Sequence, residues 1–389
     1  MANLASYQKI SRVLPGLPFG DGADGVYSST SLHTYSREGC SGIAGSTALT
    51  TSSVAFSNGH VILIHQSRGA NAGQWEINQV VSGGGTSNLI LKVPLQFTYI
   101  DSGASQAQAA QIRRYSSMNI GSSTWQPADW NQNSCGIYVV ACRGTATFAN
   151  TIDLNGAQGG GGGGTQPGAI GGGYYGGGGN AYTGEGTTGD RIYNQNSANG
   201  SGGGSSGASG GDRSGGGGEN GGTATGNAGC SGGTGGAPGN TAGSADLTTI
   251  VFGGGGGGGH NDNDGDGQAG GGSGGGILMF FCKDMVTTSA TISANGGTGG
   301  SPNTGNSGAG GGAGGSILVV CNTGTFGTNK LSAALGPGGQ ANDGRGGQGG
   351  YGRIAIHHSG AIVGSTLTPV FTNISDSSLR EASFGSYVI

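Results

Sequence analysis

Charge is scarce in this chain. Fifteen basic and 19 acidic residues among 389 leave a net charge of −4, and the longest basic run is Arg113-Arg114. That excludes the electrostatic footprint of a nucleic-acid-binding protein, and it equally excludes disorder driven by charge repulsion. Aromatic residues are few, at 6%. No apolar run approaches the roughly 20 residues of a membrane-spanning helix, so membrane insertion is not expected. The opening MANLASYQKISRVLPG has no apolar segment of the kind a secretion signal carries. The expected location is therefore a virion, or an extracellular or cell-surface site reached without a cleaved signal. No G-K-[ST] occurs, which removes the phosphate-binding loop of nucleotide hydrolases. G-x-S-x-G around Ser273 arises from the glycine background and lies in no strand-turn-helix context. The six cysteines (Cys40, Cys135, Cys142, Cys230, Cys282, Cys321) fall at no metal-ligand spacing. Buried thiols packing as small hydrophobes are expected, with a disulfide as the competing arrangement.

Glycine, by contrast, is abundant: 96 residues, most of them between 151 and 353. Such enrichment marks either a low-complexity linker or a periodic glycine structure. The flanking sequence is ordinary. GHVILIHQSRG (Gly59 to Gly69), QWEINQVV (Gln74 to Val81) and LILKVPLQFTYI (Leu89 to Ile100) read as strands separated by short turns, which predicts a small barrel or sandwich. SQAQAAQIRRYSSM (Ser105 to Met118) has helical propensity but no sustained apolar stripe, and is left as helix or strand.

An internal repeat follows. IYVVACRGTATFANTIDLNG (Ile137 to Gly156), ILMFFCKDMVTTSATISANG (Ile277 to Gly296) and ILVVCNTGTFGTNKLSAALG (Ile317 to Gly336) each join an apolar strand, a polar turn and a short alternating strand before a glycine tract. GRIAIHHSG (Gly352 to Gly360) is a partial fourth copy. Cys142, Cys282 and Cys321 close the three apolar runs, as one buried position used three times. Three regions are expected: a β-rich attachment region over 1–136, a strand-repeat and glycine scaffold over 137–356, and a C-terminal β tail over 357–389.

Within the scaffold Gly296, Gly299, Gly305, Gly308, Gly311 and Gly314 share one three-residue phase, broken at Pro302. Gly226, Gly229, Gly232 and Gly235 repeat it. Three is the period of the extended left-handed polyproline-II type helix, and not of a strand or an α-helix. Such a helix has no internal hydrogen bonds, so its amides must bond to neighbours, and only glycine lets the neighbours close in. The fold class expected is thus an all-β N-terminal region followed by a polyglycine-II helix sheaf interleaved with β-strand repeats.

Glycine tracts held between β elements and alternating with polar loops resemble the distal tail-fibre adhesins of T-even-like phages. The strand, TISANGG, GGxGG, strand repeat and FGDGADG (Phe19 to Gly25) also resemble glycine-rich bacterial surface proteins. The adhesin resemblance implies a sandwich of polyglycine-II helices whose loops contact a receptor, here Thr165 to Ile170, Asn180 to Asn199, Asp212 to Asn220, His260 to Gln268 and Ser301 to Asn306. The long N-terminal β region and the strand repeats depart from those adhesins.

Candidate receptor-binding residues are Tyr174, Tyr175, Tyr182 and Tyr193, with Arg191 and His260. Tyrosines on loops offer apolar area with a polar tip, which suits sugar or protein contact. Asp262, Asp264 and Asp266 in HNDNDGDG form the first half of an EF-hand-like calcium loop. The bidentate glutamate is missing, with Ser273 in its place, so Ca2+ is the one cofactor to weigh against none. Asp21 and Asp24 in FGDGADG are a lesser candidate. No catalytic residue is assigned. The expected function is a non-catalytic structural and adhesion protein of an appendage or virion, a phage tail-fibre or tip protein. Its expected partners are a host-surface glycan or outer-membrane protein, together with other appendage subunits or itself. Alternatives are a self-assembling microbial surface filament or matrix subunit, and an ice-binding protein.

Overall fold

A computed structural model describes residues 17–29, 33–121, 124–159, 185, 217–218, 220–221, 236–259, 269–287, 289–301, 307–341, 344–365, 369–377 and 379. Among these, seventeen strands and no α-helix are found, so the all-β reading stands. Strands β2 (Arg37–Ser41), β3 (Ala48–Thr51), β6 (Asn88–Leu91), β5 (Trp75–Ser82), β4 (Val61–Arg68) and β7 (Gln106–Tyr115) pair antiparallel in that order, and β7 returns to β2. The ring closes a barrel, which leaves no open edge. Its interior holds Cys40, Leu49, Ile62, Ile64, Val80, Leu89 and Leu91, with Ala107 and Ala109 of β7. The alanine-rich stretch left open between helix and strand is therefore a strand. Pairing on both sides and burial of Ala107–Gln111 override a helical propensity worth only tenths of a kcal/mol per residue.

Beyond the barrel β7 changes partner. Arg113, Arg114 and Tyr115 pair in parallel with Val140, Ala141 and Cys142 of β9 (Ile137–Phe148). Strand β8 (Ser117–Ile120) continues along β9, and β1 (Val26–Ser29) lies beside β8. From β9 a parallel ladder runs through β11 (Ile277–Thr287), β13 (Ser316–Thr328), β15 (Arg353–His358) and β17 (Thr372–Ser375), with β16 (Ile362–Ser365) beside the far half of β13. Cys142, Cys282 and Cys321 occupy one rung, which His358 continues. The repeat is therefore a register. Of the aligned isoleucines, Ile137 and Ile277 share a rung but Ile317 does not: Ile277 lies opposite Ser316, and Ile317 opposite Leu278. Because a one-residue slip exchanges the two faces of a strand, Ile317 packs with Tyr138 and Leu278 on one face, while Ile277 packs with Ile137 on the other.

That ladder is buried on both faces. One face meets the barrel flank through Leu63, Trp75 and Ile77, and the segment around Leu247, Ile250 and Phe252. The other meets a small parallel sheet of β10 (Ile152–Asp153), β12 (Ile292–Ser293) and β14 (Leu331–Ser332). Burial on both faces explains the unbroken apolar runs such as ILMFF. Each fully buried aliphatic or aromatic side chain contributes about 1.5–3 kcal/mol.

Every strand of the ladder from β11 to β15 is entered from a glycine tract, and each short strand of the second sheet leads back into one. The described tracts are 154–159, 253–259, 269–276, 294–300, 307–315, 333–339 and 344–352. Their amides bond sideways in steps of three. In tract 307–315 the N–H groups of Gly308, Gly311 and Gly314 donate to Gly344, Gly347 and Gly350; those of Ala309, Gly312 and Gly315 donate to Gly300, Gly297 and Ala294; those of Gly310 and Ala313 donate to Gly257 and Gly254. Its carbonyls at Gly310 and Ala313 accept from Gly272 and Gly275, those at Ala309 and Gly312 from Gly339 and Gly336, and that of Gly311 from Gly218. One tract thus bonds to five others and to the segment at Gly218, in directions that recur every third residue. The single glycine phase read across 296–314 falls on two tracts, 294–300 and 307–315, with different partners: Gly296 and Gly299 donate to Ala334 and Pro337.

Candidate binding end and the barrel junction

The tracts share one polarity of construction. Gly276, Gly315 and Gly352 abut the starts of β11, β13 and β15, whereas Gly259 bonds to Ala269, Gly300 to Gly270 and Gly308 to Gly344 at the opposite end. The described residues that flank 260–268, 302–306 and 342–343 therefore all stand at the end of the tracts remote from the strands, with Ser301 and Gln340, whose Oγ and N–H are bonded at 2.8 Å. The inner tracts 253–259, 269–276 and 307–315 are buried throughout and carry only Gly, Ala and Ser. In the outer tract 344–352 every third residue is large and exposed: Arg345, Gln348 and Tyr351. Sequence reading passed over this ridge, although the interruption of glycine at a three-residue spacing signals it.

Tyr174, Tyr175, Tyr182, Arg191, Tyr193, His260, Asp262, Asp264 and Asp266 lie outside the described residues, as does Thr165 to Ile170. For two other predicted loops the described positions are not at a solvent-exposed surface. Glu185, inside Asn180 to Asn199, is fully buried, and Asn220, at the end of Asp212 to Asn220, is buried with its amide donating to the carbonyls of Gly314 and Gly315 at 3.0 and 3.1 Å. A lone polar residue in a glycine tract reads as solvated; here each one is consumed by an internal partner.

Glu185 joins a glycine segment to the barrel. Its Oε1 pairs with Nη1 of Arg68 at 2.5 Å, its Oε2 accepts from Nε1 of Trp130 at 3.2 Å, and its carbonyl accepts from Gly255 at 2.9 Å. Arg68 ends β4, and its Nε donates to the carbonyl of Ala104. Nearby His65 is bonded through Nε2 to the carbonyl of Ile250 at 2.8 Å and through Nδ1 to Ser67 at 2.9 Å. Burial pushes its imidazole down to about 4, against a smaller upward pull from the Ile250 carbonyl. The folded state thus prefers neutral His65. That contribution is complete above the unfolded value near 6.5 and is lost as pH falls toward 4. Between pH 7.5 and pH 5 it amounts to about 2 kcal/mol, so His65→Gln should flatten a urea-stability profile over that window by this amount.

The aspartates of FGDGADG are paired with arginines. Asp21 pairs with Arg114 at 2.7 Å, Asp24 with Arg113 at 3.1 Å, and Asp24 also accepts the N–H of Arg114 at 2.7 Å. This clasp also neutralises the only basic pair of the sequence. Among the described residues no cluster of three His, Cys, Asp or Glu side chains is arranged to hold a metal. The rung cysteines are buried thiols, with Cys142 pushed up to about 11, Cys321 to about 12 and Cys282 well above its ordinary value, in each case chiefly by burial. Thiols so held are poor nucleophiles. Among the described residues no helix is long and apolar enough to cross a membrane. No protein family, characterised protein or solved structure matches this chain.

Proposed function

We propose that the glycine tracts are polyglycine-II helices packed as a sheaf, and that the protein is a non-catalytic structural and adhesion component of an extracellular appendage or virion, a phage tail-fibre or tip protein that presents loops to a host-surface glycan or outer-membrane protein. The observation that carries this reading is the lateral bonding of tract 307–315 to six neighbours with a three-residue recurrence, which matches the three residues per turn of that helix. None of the described glycines in these tracts has a positive φ, as an extended threefold backbone requires. A sheaf of this kind is stiff and carries almost no charge. It brings several chain segments to one end, where sequence can vary without disturbing the lattice.

Segment 260–268 is the cleanest test, because its stems Gly259 and Ala269 are bonded to each other. Replacing it, together with 302–306, by Gly-Ser segments of equal length should leave thermal unfolding unchanged. Adsorption to host cells of particles carrying the protein should fall roughly tenfold or more, a loss of about 1.4 kcal/mol of binding. Adsorption at the original level with both segments replaced removes the adhesive half of the proposal.

A further inference from the structure

His33 lies on the strap of residues 33–36 that leads into β2, and five aromatic rings surround its imidazole. Centroid separations are 5.5 Å to Tyr27, 5.9 Å to Tyr35, 5.3 Å to Tyr115, 6.3 Å to Trp125 and 5.6 Å to Tyr138. The rings come from β1, the strap itself, β7, the segment bridged to Ile152, and β9. The box therefore stands where the barrel meets the parallel ladder. His33 is only 8% exposed, and neither ring nitrogen has a hydrogen-bond partner in the protein; the buried hydroxyl of Tyr138 has none either.

An apolar ring would fill this box without leaving two desolvated nitrogens unpaired. The presence of an imidazole is thus the informative feature. Neutral, it is held by ring packing; charged, it would need a counter-ion, and the nearby carboxylate of Asp24 is already paired with Arg113. The charged and titratable groups around it are few. Arg113 of β7 donates to the Thr34 carbonyl and disfavours a second positive charge, while Asp24, the one nearby anion, is already paired with Arg113. Tyr27, Tyr35, Tyr115 and Tyr138 contribute hydroxyls. Burial pushes Tyr35 up to about 12 and raises Tyr115 and Tyr138 further above the ordinary phenol value, so these three stay neutral in acid. Burial, with Arg113 adding to it and Asp24 opposing, pushes His33 down to about 4. The rest of the strap is fastened by the Tyr35 hydroxyl on the Ile137 carbonyl at 2.8 Å and by Gln111, whose N–H donates to the Ser36 carbonyl at 2.7 Å.

We propose that His33 is the pin of an acid-released strap: residues 33–36 close the aromatic box between barrel and ladder at neutral pH, and protonation of His33 frees them and opens the box to solvent. The sign follows from the depressed pKa. The closed state prefers neutral His33, so closure is complete above about 6.5 and is lost as pH falls toward 4, with the opening constant rising about thirtyfold between pH 7.5 and pH 5.

Hydrogen exchange read by mass spectrometry at pH 7.5, 6 and 5, corrected for intrinsic rates, tests this on the intact chain. In a His65→Gln background, which removes the pH dependence assigned above to His65 of β4, peptides covering residues 33–36 should lose protection by about that factor while peptides from β4 and β11 keep theirs. His33→Phe should keep the strap protected at every pH, and His33→Gln, which does not titrate, should show a pH-independent strap should the phenylalanine variant fold poorly. A wild-type strap whose protection does not change with pH overturns the proposal. So does a His33→Phe or His33→Gln strap that opens over the same range, or simultaneous loss of protection in β4 and β11.

Discussion

Gly312→Ala is expected to destabilise the protein by about 3–5 kcal/mol, although it adds a single methyl group. Gly312 occupies the central tract; its N–H donates to Gly297 at 2.9 Å and its carbonyl accepts from Gly336 at 2.9 Å. An added Cβ would overlap the carbonyl oxygen of Ser273 and approach that of Gly272, both main-chain atoms of a neighbouring tract. The φ of Gly312 is not positive, so the residue is glycine for reasons of space and not of conformational freedom. Overpacking a dense interior costs about 1–3 kcal/mol. Here the overlap is relieved only by separating tracts, which also weakens two or more lateral hydrogen bonds at about 1 kcal/mol each. Gln348→Ala, on the exposed ridge, should change stability by less than about 0.5 kcal/mol. Urea unfolding of the two variants makes the comparison, and equal midpoints would mean that the tracts do not touch.

That contrast also shows what was legible in the sequence. A packed glycine lattice writes itself as a period, because a side chain is tolerated only where a tract faces solvent; hence the third-position glycines inside and Arg345, Gln348 and Tyr351 outside. The repeat of apolar strand and rung cysteine was equally legible, since register in a ladder buried on both faces is set by side-chain pattern. Its exact phase was readable only from the cysteines: Cys142 and Cys282 follow their isoleucines by five residues and Cys321 by four, so alignment on the isoleucines misses the step that places Ser316 opposite Ile277. Closure of the barrel was hidden as well, because it rests on β7 bonding to both β2 and β4, and the alanines that allow it read as helix formers. Glu185 and Asn220 were misplaced for the opposite reason. A single charged or amide residue among glycines says nothing locally about a partner more than 90 residues away in sequence, such as Arg68 or Gly314. As for the candidate site, the tyrosines, Arg191, His260 and the aspartates of 262–266 stand outside the described residues; what the fold adds is that Gly259 and Ala269, which flank 260–268, are bonded to each other at the end of the glycine tracts remote from the strands.

The second large effect is expected at the junction. Arg68 and Glu185 are both almost wholly shielded from solvent, with side chains 8% and 1% exposed, so their pairing offsets a heavy desolvation penalty without necessarily adding net stability. Removing one partner is different in kind, because the other charge stays in the interior without this ion pair. Glu185→Ala should cost about 3–5 kcal/mol, taking from Arg68 its ion pair with Glu185 and from the indole N–H of Trp130 this acceptor. Glu185→Gln keeps the indole bond and the shape but not the charge, and should fall between the two. Because Glu185 also accepts the amide of Gly255 through its backbone, the damage should spread into tract 253–259, and exchange protection at Gly256 should drop with it. Replacing both residues together, Arg68→Met with Glu185→Leu, should recover most of the loss, since no charge then remains buried. Were the double variant as unstable as Glu185→Ala, the pair would owe its importance to packing or to the Trp130 bond, and the junction would not be electrostatic. Full rescue would instead identify the ion pair as what fixes where the glycine segment docks on the barrel, with its stability supplied by the lattice and core on either side.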